Sequence, residues 1–187
     1  RRVLFRSAYC WVSELCNRAP FAPERDRLVD DPSLPVGHGL FYSQDAYPDD
    51  ELFRDAEALR LRHTPDLLLV HSMGVDFAGH TAGADAAAYR EAARAADGLL
   101  ARYLPNWLDA GYAALITSDH GMDADRVHYD STEQTRRVPL WLMGRAWRNL
   151  PLPARQTQVA GLMLAALGLA AVEDAPHAGP EESHAAR

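Results

Sequence analysis

Two acid–histidine pairs are the residues in this chain best suited to chemistry. Asp76 and His80 stand four apart in Asp76-Phe77-Ala78-Gly79-His80, and Asp119 and His120 open Asp119-His120-Gly121-Met122. Carboxylate oxygen and neutral imidazole nitrogen are the usual ligands of zinc and similar divalent metals. Either motif alone says little, because Asp closes turns and Gly bends the chain. Together they say more, since each follows an apolar run: residues 66–71 before the first pair, residues 112–118 before the second. A third histidine, His128, lies in a polar loop ahead of another apolar run at residues 136–144. The chemistry expected of such a set is metal-assisted.

Something must bring the pairs together. Continuous apolar runs of this length suit strands buried on both faces of a parallel sheet. Open α/β sheets bind ligands beyond the carboxyl ends of their strands. Neighbouring parallel strands would therefore deliver both pairs to one sheet edge. Between the two runs, Tyr89, Ala92, Ala93, Ala96, Leu100, Tyr103 and Leu104 repeat at helical spacing behind a candidate cap, Asp85. This predicts a strand–helix–strand unit with a right-handed crossover. Other helices are expected over residues 8–18, 49–62 (with Asp49 or Asp50 as cap) and 156–167. Residues 20–39, rich in Pro, Asp and Gly, read as an irregular loop, with His38 inside it. Pro139 suggests that the third run starts a strand or lies at an edge.

Composition narrows the classes. At 187 residues the chain can bury one good core. A formal charge of −7 argues against binding a nucleic-acid duplex, which relies on basic surface. No apolar run reaches membrane-spanning length. There is no lysine, so neither a P-loop lysine nor a Schiff-base lysine exists in these residues. Positive charge at a site must come from Arg, protonated His or metal. Cys10 and Cys16 carry no metal-binding spacing. Residues 1–7, Arg1-Arg2-Val3-Leu4-Phe5-Arg6-Ser7, match the translation of a sequencing adaptor, which sets them outside the expected fold. One domain is then expected over residues 8–172, with a polar tail over residues 173–187. Heavy use of Ala, Arg, Gly and Pro suggests a bacterial coding bias. The sequence assigns no compartment, with the cytoplasm slightly favoured, and no oligomeric state.

The order Asp76-x-x-Gly79-His80, Asp119-His120-Gly121-Met122, then a loop histidine before Val138-Pro139-Leu140 resembles the alkaline phosphatase superfamily. Its type I phosphodiesterase/nucleotide pyrophosphatase branch is the nearest match, over residues 65–167. The resemblance implies an α/β fold with a mostly parallel central sheet flanked by helices, of which this chain is the C-terminal part. It implies two divalent ions, usually zinc, with Asp76, His80 and His128 on one and Asp119 and His120 on the other. The remaining Asp ligand and a Thr or Ser nucleophile would lie upstream, leaving the chain alone inactive. Two ions about 4 Å apart can hold the attacking and leaving oxygens of an in-line phosphoryl displacement. The substrate class implied is a small phosphorylated compound such as a nucleotide. A phosphonate hydrolase, a phosphomonoesterase and a non-catalytic metal-binding relative share the same residues. The family's usual His-Gly-Gly is His128-Tyr129-Asp130 here.

Overall fold

The computed structural model describes residues 5–129 and 132–169. They divide into two compact units, with the boundary between Gly144 and Arg145. In the first, β1 (Phe5–Tyr9) leads directly into α1 (Cys10–Cys16). A short α2 (Pro23–Asp26), β2 (Leu28–Asp30) and β3 (His38–Tyr42) follow. Then come α3 (Asp49–His63), β4 (Leu68–Val70), α4 (Gly74–Ala82) and α5 (Ala87–Asp109). The unit closes with β5 (Ala114–Thr117), α6 (Glu133–Arg136) and β6 (Leu140–Met143). The second unit holds 3-10 turns at Arg145–Trp147 and Gln156–Gln158 and a final helix, α7 (Val159–Ala166).

The chain is α/β, but a single mostly parallel sheet is not what forms among the described residues. One sheet has the order β2-β3-β1-β4, with β1 parallel to both β3 and β4 and β2 antiparallel to β3. The other is the antiparallel pair β5-β6. The expected crossover between parallel neighbours β4 and β5 is therefore absent from these ladders. The apolar runs misled for a physical reason: hydrophobicity reports burial, not partner or direction. Even the burial is partial, since all of β4 is only half-buried and Thr117 in β5 is exposed.

The stretch expected to be irregular, residues 20–39, instead supplies core. Val29 and Val36 pack with Ala8, Val12 and Phe41, and Phe21 and Leu34 lie against them. Its one complete strand, β2, is only three residues long, so local periodicity is weak. The expected helix from residue 8 begins at Cys10, because Ala8 and Tyr9 complete β1. Helix α3 matches its expected span and buries Leu52, Phe53, Ala56 and Leu59 on one face. Phe53 stacks on Trp107 of α5 with ring centroids 6.1 Å apart, and Trp107 Nε1 donates to Glu57 at 2.7 Å. Asp49 does not cap α3; Pro48 stands at that position. Its carboxylate instead lies against Gly74 at the start of α4, with Oδ1 buried and lacking a hydrogen-bond partner. Burial pushes the Asp49 carboxyl above its ordinary value.

Asp26 staples the small helix α2. Its buried carboxylate accepts from Ala22 N–H at 2.8 Å and from both Nε and a terminal nitrogen of Arg25. The Arg25 guanidinium holds its carboxyl at about 2. A carboxyl depressed on folding stabilises the fold above its unfolded value of about 3.9. That contribution fades as pH falls through the folded value of about 2. Asp26→Asn is expected to cost about 1–3 kcal/mol at neutral pH. The cost should shrink as pH falls from about 4 towards 2. Denaturant unfolding at neutral and acid pH checks this; an equal loss at both would contradict the ion pair as its source.

Candidate metal centre

Asp76 sits in the first turn of α4 and His80 one turn later, so the two share a face. His80 Nε2 lies 3.6 Å from Asp76 Oδ1. The sequence did not suggest this helix, whose short span includes two glycines. From β5 the chain passes through Ser118 to Asp119 and His120. His120 Nε2 lies 3.9 Å from Asp76 Oδ1 and 3.6 Å from Asp119 Oδ2. The His128 ring stacks on His120 at 3.8 Å between centroids and meets His80 edge-on at 5.0 Å. All five residues singled out by type and spacing thus lie in one cluster. They meet although β4 and β5 belong to different sheets.

Both motif glycines are explained by close approach. A Cβ on Gly79 would stand 2.7 Å from Met122 Cε and 3.1 Å from a Tyr89 ring carbon. Met122 is buried, so the last residue of one motif packs into the gap left by the glycine of the other. A Cβ on Gly121 would stand 2.0 Å from the Gln134 carbonyl oxygen. Gly121 N–H donates to Thr135 O at 2.8 Å, fixing the Asp119–His120 segment against α6. The intervening loop is pinned by Ala84 N–H to Asp123 O at 2.9 Å and by Val127 N–H to the Asp123 carboxylate at 2.9 Å.

Backbone carbonyls set the histidine tautomers. His80 Nδ1 lies 2.9 Å from Arg126 O, and His120 Nδ1 lies 3.0 Å from Gly121 O. A carbonyl only accepts, so Nδ1 carries the proton in each ring. In the neutral ring this leaves an Nε2 lone pair, and both Nε2 atoms face carboxylate oxygens. Their separations of 3.6–3.9 Å exceed a hydrogen bond. Asp76 Oδ1 is also buried without a hydrogen-bond partner. Lone pairs converging at that spacing on a buried carboxylate oxygen suit a cation, since tetrahedral zinc with bonds near 2.0–2.1 Å spaces its ligand atoms about 3.3 Å apart. Ligating atoms of Asp76, His120 and His128 all fall within 4.8 Å of one another. The residues therefore fit a divalent metal of the zinc type.

A model of the type I phosphodiesterase / nucleotide pyrophosphatase family matches residues 29–147. The chain belongs to this family. The matched segment runs from β2 past β6 and contains all five clustered residues. No curated protein and no solved structure gives a significant match. Membership places this phosphodiesterase-family chain among hydrolases of phosphodiester and nucleotide pyrophosphate bonds, with small phosphorylated substrates. The family is typically metal-dependent. Among the described residues, no helix is long and apolar enough to cross a membrane.

Two further residues flank the centre. His71, which ends the first apolar run and by its position either faces the site or is a hydrogen-bonded strand-end residue, has a buried Nδ1 with no hydrogen-bond partner and lies edge-on to Trp11 at 5.4 Å. Burial holds it below its ordinary pKa, against the pull of Asp119 and Asp76. It is the backbone carbonyl of His71 that is fixed, by Tyr42 O–H at 2.7 Å. Asp49 packs against the start of the helix that carries Asp76 and His80. Nothing local marks this contact, because Gly74 is more than twenty residues away in sequence.

Proposed function

We propose that this chain forms the metal-holding wall of a hydrolase acting on phosphodiester or nucleotide pyrophosphate bonds. Asp76, His80 and His128 would hold one divalent ion, and Asp119 and His120 would help hold a second. Zinc suits the mixed oxygen and nitrogen donors. The observation that carries this reading is the shared orientation of His80 and His120, with Nδ1 committed to carbonyls and Nε2 turned to carboxylates. When bound, such ions neutralise charge on phosphoryl oxygens and acidify a hydroxyl or water. Asp76 and Asp119 offset the positive charge, while the neutral imidazoles bind without adding any. Carbonyl contacts at Nδ1 orient both rings and raise their basicity.

The attacking Thr or Ser, and one further Asp ligand, are proposed to lie outside these residues, as the family resemblance implies. The test is hydrolysis of bis-p-nitrophenyl phosphate with added zinc. The 187-residue chain should be silent, and a longer form supplying the nucleophile should show turnover that a chelator removes. Chelator-sensitive turnover by the chain alone would place the nucleophile among these residues and overturn this division. A longer form that cleaves only p-nitrophenyl phosphate or a phosphonate would move the substrate assignment within the same superfamily.

A further inference from the structure

Away from the Asp76 cluster, a second set of side chains has the chemistry of a metal site. Asp30 and His38 are direct cross-strand partners in the antiparallel β2–β3 ladder. In such a pair the two side chains leave the same face of the sheet, close together. Asp30 Oδ1 and His38 Nδ1 are 2.5 Å apart. His63, the last residue of α3, brings its ring over that of His38, with centroids 4.1 Å apart and planes 31° apart. Potential ligating atoms of all three lie within 4.8 Å of one another.

Several features favour a cation here. Two imidazoles and one carboxylate are a donor set that catalytic zinc sites use, with a fourth position left to water. The His38 side chain is only 17 % exposed, whereas Asp30 reaches solvent at 62 %, so one wall is fixed and an entry path is open. His63 sits where the carbonyl ends of α3 project, which favours positive charge. Thr64 turns into the left-handed region at φ 45°, stopping the helix there and fixing the height at which His63 is presented. Zinc with bonds near 2.0–2.1 Å needs donor atoms about 3.3 Å apart, so the Asp30–His38 contact would open by under about 1 Å. Two side-chain torsions absorb that without moving the ladder.

We propose that Asp30, His38 and His63 form a separate site for a zinc-type divalent cation, which clamps the end of α3 to the β2–β3 ladder. This site shares no residue with the Asp76 cluster and does not depend on the function assigned above. Its effect is structural: an ion bound by Asp30, His38 and His63 ties together segments some thirty residues apart, favouring the folded state in proportion to metal occupancy.

The test uses the full chain with the Asp76 cluster disabled by H120A and H128A together. Zinc content after dialysis, and the visible absorption of added cobalt(II), are then measured. One equivalent of zinc should remain, with the intense visible bands of a tetrahedral cobalt site. Zinc should also raise the unfolding temperature. Adding H63A should remove the equivalent, the bands and the thermal shift, and D30N should weaken all three. H63N is a second variant that keeps a polar side chain at the helix end should the alanine change impair folding. Loss of all zinc in the H120A/H128A protein would overturn the proposal. So would retention of the equivalent after H63A or H63N. If instead H120A/H128A removes no zinc at all while H63A removes one equivalent, this proposal stands and the Asp76 assignment fails.

Discussion

Asp76→Ala should empty the main metal centre while leaving the metal-free protein as stable as before, or slightly more stable. Asp76 Oδ1 is buried and lacks a hydrogen-bond partner, and the Nε2 atoms of His80 and His120 lie 3.6 Å and 3.9 Å from it. An unsatisfied buried polar group costs about 1–3 kcal/mol, so removing it relieves the metal-free fold by up to that amount. With metal the balance reverses. Loss of a supporting group around a metal already costs about 10–100-fold in affinity, and loss of a direct ligand should exceed that. Turnover in a form carrying the nucleophile should fall with it, by about 100-fold or more on the same ground. Unfolding midpoints with chelator and with zinc separate the two effects. Zinc should raise the wild-type midpoint, and Asp76→Ala should remove that gain. A variant that unfolds several degrees early in chelator, yet keeps its zinc response, would make Asp76 a packing residue.

Gly121→Ala should do the opposite, damaging the fold first and the metal centre through it. Its new methyl would stand 2.0 Å from the Gln134 carbonyl oxygen and 3.1 Å from the carbonyl carbon. Neither can swing aside as a flexible side chain would. Either α6 shifts or the Asp119–His120 segment does, and the Gly121-to-Thr135 hydrogen bond is strained in both cases. Overpacking of this kind costs about 1–3 kcal/mol. Because His120 Nδ1 rests on the Gly121 carbonyl, the same shift misorients that ring and weakens metal binding. Gly98, which has open space around its position, is the control: Gly98→Ala should be neutral or slightly stabilising, since alanine is the better helix former. Equal stability of Gly121→Ala and wild type would show that the loop does not hold the ring.

The chemistry was easier to read than the scaffold. Asp76, His80, Asp119, His120 and His128 stand out because ligating residue types at short spacing are local features. Helix α3 was equally plain, with acids at its start, basic residues at its end and one apolar face. The sheet was not. Residues 66–71 and 112–118 look alike in sequence, yet β4 pairs in parallel with β1 and β5 pairs antiparallel with β6. Strand partners are chosen over long sequence distances, and an apolar run carries no record of them. The core role of Val29 and Val36 was hidden for the same reason, among prolines and aspartates that suggested a loop. Asp30 and His63 drew no attention, because only folding places them beside His38. The roles of Gly79 and Gly121 likewise emerge only when each is seen against its neighbour.

Zinc-edge anomalous diffraction from crystals of the chain grown with zinc would locate the metal bound by the Asp76 cluster. The expected peak is held by Asp76, His80 and His128, with Nε2 as the coordinating atom of His80, at about 2.0–2.1 Å, and any second ion lies against Asp119 and Nε2 of His120. Absence of zinc from this cluster at saturating metal, or binding through the Nδ1 atoms after loss of their carbonyl contacts, would contradict that assignment.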